Sequence, residues 1–133
     1  TMVQDAERKT GPVWARKDDP RLTVVGGVLR KAKIDELPQL FNVIKGEMSL
    51  VGPRPERPCF VQRFAAIMPG YNRRHDVIPG ITGLAQLRNG YDSSPDDIYR
   101  KLRYDITYIR RIGLAIDFRL LLETFLAILL VKA

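Results

Sequence analysis

The chain has 133 residues, 45% hydrophobic and 28% charged, with a formal net charge of +7. That is enough for one domain with one core, and the positive balance favours anionic partners: phosphorylated small molecules, nucleic acid or an anionic membrane surface. The one cysteine, Cys59, excludes an internal disulfide and reads as a small buried or half-buried filler, while the one histidine, His75, excludes zinc sites that need several histidines.

Residues 1–19 are polar and irregular, with TGPVWARKDDP marking loop structure. Asp19 is placed to cap a helix with Pro20 at its first position and Leu22, Val25, Val28 and Leu29 at helical spacing. The basic residues Arg30, Lys31 and Lys33 fall near its end, where cations suit the helix dipole. In the next helix Leu37, Leu40, Phe41 and Ile44 fall at i, i+3, i+4 and i+7, which predicts one buried stripe, and Gly46 suits the position after the end. Pro38 is tolerated only in a first helical turn, so this helix should begin near residues 34–36, with Asp35 and Glu36 at its N-terminal edge.

MSLV reads as a short extended run, GPRPERP as a stiff loop and residues 59–68 as a short helix. RRHDVIPGITGLAQL reads as a small hairpin or bent ribbon with a type II turn at Pro79-Gly80. Ser94, Pro95 and Asp97 signal a capped helix start, and the long helix that follows, to about Arg111, carries Ile98, Leu102, Ile106 and Ile109. Gly113 ends it. The tail is an amphipathic helix whose longest uncharged run, residues 124–131, is too short to span a bilayer. The expected fold is a single α+β domain over residues 1–133, mostly helical, with short β-hairpin elements and an amphipathic C-terminal helix.

Acids at a helix start are explained by capping and dipole effects alone. The same setting also suits chemistry: adjacent carboxylates share a divalent cation, usually magnesium where phosphates are present, and an ionised carboxylate attacks phosphorus. Arg54 has a plain reading as a solvated loop residue, but Pro53 and Pro55 stiffen the backbone around it and aim a fork that matches phosphate. Arg73 and Arg74 read as solvated surface.

Neither feature is specific alone, but together KIDELPQLFNVIKGEMSLVGPRPE closely resembles the signature of the bacterial sugar transferases, the monotopic polyprenyl-phosphate phosphoglycosyl transferases. The resemblance continues through DPRLTVVGGVLRKAKIDELPQL, PGITGLAQ and RKLRYDITYIRRIGLAIDFRLLLETFLAIL. It implies transfer of a sugar-1-phosphate from a UDP-sugar to undecaprenyl phosphate, with UMP released. It makes Asp35 the nucleophile of a covalent phosphosugar intermediate and Glu36 its partner, the two also holding Mg2+. Arg54 becomes a phosphate ligand, and Arg30 and Asp105 fall on further substrate-binding positions. The family's Asn-Gly-Arg after GLAQ is altered here to LRNGYD, which leaves Arg88 as a displaced candidate for substrate contact. The resemblance also implies an upstream re-entrant membrane helix. Because the chain opens at Thr1 on residues that read as mid-sequence, a catalytic fragment is expected.

The partners expected are a UDP-sugar, undecaprenyl phosphate and a membrane interface at the cytoplasmic face of the bacterial inner membrane, with self-assembly through the apolar tail as a further option and no nucleic acid. The tail positions Phe118, Leu121, Leu122, Phe125 and Leu129 suit an interface or the closure of the core. A nucleic-acid-binding module and a catalytically dead membrane-adhesion module are the competing classes. The first lacks a basic face with interleaved aromatics, and the second is at odds with an intact acid pair and Arg54.

Overall fold

A computed structural model of the chain describes residues 1–8, 11, 13, 19–31, 34–89 and 94–131. Lys33, Gly90 and most of the TGPVWARKDDP stretch lie outside the described residues.

The first helix, α1, spans Val24–Lys31 and starts later than the sequence suggests. Thr23 caps it, its hydroxyl accepting from the Gly26 N–H at 2.9 Å. Asp19 is used otherwise: it is buried and grips its neighbour Arg21 through the Nε at 2.8 Å and Nη2 at 2.6 Å. Leu22 falls before the helix, in a bridge to Met2. Glu7 ties this N-terminal segment to the main body, accepting from Arg57 at 2.7 and 2.8 Å and from Arg21 at 3.2 Å.

A single 3-10 turn, Ile34–Glu36, carries the acid pair, and α2 follows as Gln39–Ile44. Pro38 stands just before α2, where its missing N–H costs nothing, and Gly46 closes the end with φ of +78°. The stripe expected to be buried is not: Leu37, Leu40, Phe41 and Ile44 are exposed, Phe41 by 68% and Ile44 by 82%. Val24, Val25 and Val28 of α1 are exposed as well. The spacing makes an apolar face, but no element among the described residues packs over it.

Strand β1, Ser49–Val51, pairs with β2, Gly80–Thr82, in parallel, with Ser49 opposite Gly80 and Val51 opposite Thr82. This corrects the expected hairpin. Parallel strands need a crossover, and here it holds α3, Pro58–Ile67, and a second 3-10 turn, Tyr71–His75. Gly80 is not at a positive φ, so it is not the pivot of a type II turn. It serves close approach instead, because a Cβ there would stand 2.0 Å from the Gly52 nitrogen.

After β2 come α4, Leu84–Arg88, α5, Pro95–Ile109, and α6, Leu114–Val131. Ser94 and Asp97 form the expected capping box on α5. The buried face of α5 runs through Ile98, Lys101, Asp105 and Tyr108, rotated from the expected stripe, of which Leu102, Ile106 and Ile109 are only half-buried. Ile98 joins Phe60, Phe64, Met68 and Tyr71 in one core cluster, and Tyr108 joins Val51 and Leu120 in another. The Tyr108 hydroxyl lies 3.2 Å from the Val51 carbonyl and 2.8 Å from Asp117, and burial followed by Asp117 raises its pKa well above the tyrosine norm. Cys59 is exposed, not a core filler. On α6, Phe118, Leu122, Phe125 and Leu129 are exposed while Leu120 is buried. No helix among the described residues is long and apolar enough to cross a membrane.

Candidate active site

Asp35 and Glu36 are consecutive, half-buried carboxylates, each faced by an arginine from a different segment. The Arg30 Nε of α1 lies 3.8 Å from Asp35 Oδ2, and the Arg54 Nη1 and Nη2 lie 3.3 and 3.4 Å from Glu36 Oε1. The sequence therefore located four residues that the fold brings together. Its physical reason needs changing, however. With α2 only six residues long and separated from the acids by Leu37 and Pro38, the helix dipole is a small effect, and the two guanidinium groups are the charges that face the carboxylates.

Arg54 owes its place to its loop. Pro53 and Pro55 flank it, and the Pro53 carbonyl accepts from the Gly80 N–H at 2.9 Å. The close contact of Gly80 with Gly52 permits this tie from β2 to the loop. A groove of about 380 Å³ runs beside the loop, lined by Pro53, Arg54, Pro55, His75, Val77 and Pro79 among others. Arg54 thus borders both the groove and the acid pair.

Asp105 lies within the protein. It is buried, and its Oδ2 accepts from the Arg74 Nε at 3.0 Å, with Arg74 Nη2 at 2.9 Å. Burial pushes its carboxyl up, while Arg74 and Lys101 pull it down. Arg74, read from sequence as solvated surface, is 2% exposed. A buried arginine has no local signature in sequence; its carboxylate partner, Asp105, is 31 residues away on another helix. Arg88 is engaged by Glu123 of α6 at 2.6 Å, and Arg119 and Arg88 together hold the Glu123 carboxyl below its ordinary range.

Among the described residues no cluster of three or more His, Cys, Asp or Glu side chains is arranged for a metal ion. The adjacent Asp35 and Glu36 do fit magnesium, which takes one or two protein carboxylates and completes its shell with phosphate oxygens and water.

Residues 1–131 match the family model described as bacterial sugar transferase. Curated relatives include a UDP-N-acetylgalactosamine-undecaprenyl-phosphate N-acetylgalactosaminephosphotransferase of Aeromonas hydrophila, 46% identical over 97% of this chain and 30% of the relative. A UDP-glucose:undecaprenyl-phosphate glucose-1-phosphate transferase of Klebsiella pneumoniae is 42% identical over 84% of this chain and 24% of its own length. An exopolysaccharide production protein of Rhizobium leguminosarum bv. phaseoli is 36% identical over 93% of this chain and 64% of its own. The chain thus spans less than a third of the first two, at 30% and 24%. With the family model covering nearly every residue, the chain belongs to the bacterial sugar transferase family.

Proposed function

We propose that the protein transfers a sugar-1-phosphate from a UDP-sugar to undecaprenyl phosphate in two steps on Asp35. The observation that carries this reading is the consecutive acid pair with one arginine set against each carboxylate; the names of the relatives supply the substrate classes. In the first step an Asp35 carboxylate oxygen attacks the phosphorus that bears the sugar. The bond from that phosphorus to the bridging oxygen breaks, UMP leaves, and an aspartyl phosphosugar remains. In the second step a phosphate oxygen of the lipid attacks the same phosphorus, and the carboxylate of Asp35 is released. Arg54 holds the diphosphate, its fork turning from Glu36 to phosphate oxygens, and Arg30 orients Asp35. Asp35 and Glu36 would hold Mg2+, which supplies charge neutralisation on the diphosphate when bound.

Two exposed apolar faces support a membrane surface as the setting. Val24, Val25 and Val28 precede the acid pair in sequence, and Leu37, Leu40, Phe41 and Ile44 follow it. The end of α6 adds Phe125, Leu129 and Leu130. A face of this kind, on a chain of net charge +7, suits an anionic bilayer, and a nucleotide-sugar donor sets the cytoplasmic side.

The test is an intact-mass measurement. Full-length protein incubated with UDP-sugar and Mg2+, without lipid acceptor, should release UMP and gain one sugar phosphate on the peptide containing Asp35. Asp35→Asn should abolish both adduct and turnover. An active Asp35→Asn variant, or initial-rate lines that intersect instead of running parallel, would refute the covalent route.

A further inference from the structure

Behind the loop that carries Arg54 lies a group of buried and half-buried charges that the reaction above leaves without a task. The middle of the buried face of α5 is given to Lys101 and Asp105, with Ile98 on one side and Tyr108 on the other. Lys101 contacts Glu56, and Arg74 approaches Glu56 to 4.0 Å while gripping Asp105. Two cations and two anions thus stand where apolar side chains of similar size would often stabilise the fold at least as well. Arg74 is the member that reaches the loop backbone. Its Nη2 donates to the Arg54 carbonyl at 2.9 Å, its Nη1 to the Tyr71 hydroxyl at 3.0 Å and its Nε to Asp105 at 3.0 Å. One planar guanidinium therefore joins the turn Tyr71–His75, α5 and the loop.

We propose that Arg74, oriented by Asp105, is a positioning residue that holds the Arg54 guanidinium toward the acid pair. Consecutive carbonyls of the loop are fixed, that of Pro53 by Gly80 and that of Arg54 by Arg74, so the Arg54 side chain leaves a backbone that does not turn. Lysine is no substitute, because a single nitrogen does not reach the carboxylate, the hydroxyl and the carbonyl together. The assignment rests on the reading of Arg54 as the diphosphate ligand.

The test is a double-mutant cycle on kcat/KM for the UDP-sugar donor in full-length protein. Arg74→Lys is introduced into the wild type and into Arg54→Ala. The expected loss is about tenfold in the wild type, the scale of one hydrogen bond to a charged group, and less than about twofold in Arg54→Ala, because the positioning acts through the missing side chain. Should Arg74→Lys prove too unstable to assay, Asp105→Asn carries the same cycle with the same expectations, since it keeps the shape and removes the charge that orients Arg74. An equal loss in both backgrounds overturns the proposal, as does no loss in the first. A wild-type rate in Arg54→Ala overturns the reading of Arg54 and the proposal with it, whereas a damaged Arg54→Ala with an additive second substitution overturns the proposal alone.

Discussion

Replacing Arg54 by alanine separates a residue that holds substrate from one that holds the fold. Among the described residues its side chain meets Glu36, at 3.3 and 3.4 Å to a single oxygen, and it is 45% exposed. An ion pair so long and so wet contributes about 0–1 kcal/mol, so Arg54→Ala should lower Tm by no more than about 4 °C. The transition state is another matter. In the proposed reaction the fork meets charge developing on the diphosphate, and removing a group of that kind costs about 2–4 kcal/mol, a loss of roughly 30- to 1000-fold in kcat/KM. Lysine restores a point charge without the fork and should recover only part of the loss. UMP release by full-length protein in detergent or nanodiscs, beside a thermal melt of the same samples, reads both quantities. Wild-type turnover in Arg54→Ala refutes the role in phosphate binding. A collapse of Tm with a proportionate loss of activity refutes the separation.

Two further substitutions test the surroundings of the site. Tyr108→Phe removes a buried hydroxyl shared by the Val51 carbonyl and Asp117, which should destabilise the protein by about 1–3 kcal/mol and leave the kcat of the folded fraction within about twofold; an unchanged denaturation midpoint would count against it. Phe41→Ser with Ile44→Ser alters side chains that are 68% and 82% exposed, so Tm should hold, while sedimentation with vesicles containing anionic lipid should weaken at least about tenfold, given about 1.5–3 kcal/mol for each large apolar side chain buried. Unaltered vesicle binding would remove α2 from the membrane-facing surface.

Sequence periodicity identifies the apolar face of a helix, but what covers that face is a property of the whole fold. On α2 and just before it the spacing of Leu37, Leu40, Phe41 and Ile44 was legible and the face exists, yet it is exposed, because burial needs a partner surface that no local pattern encodes. The strand MSLV and the stiff loop after it were equally legible, since extended runs and prolines act locally. Pairing was not: β1 and β2 are separated by α3 and a turn, and a parallel partner leaves no turn signal between the strands. The site divides along the same line. Asp35, Glu36 and Arg54 stand out through neighbours in the chain, chiefly the prolines that fix helix start and loop. Arg74 and Asp105 acquire meaning only across 31 residues, where an arginine of the turn Tyr71–His75 and an acid on the buried face of α5 look in sequence like two solvated surface residues. Long-range charge of this kind comes to light once the fold puts Arg74 within 2.9 Å of the Arg54 carbonyl. The groups proposed to touch phosphate were therefore written into short motifs, while the groups proposed to hold those motifs in place were written into the topology.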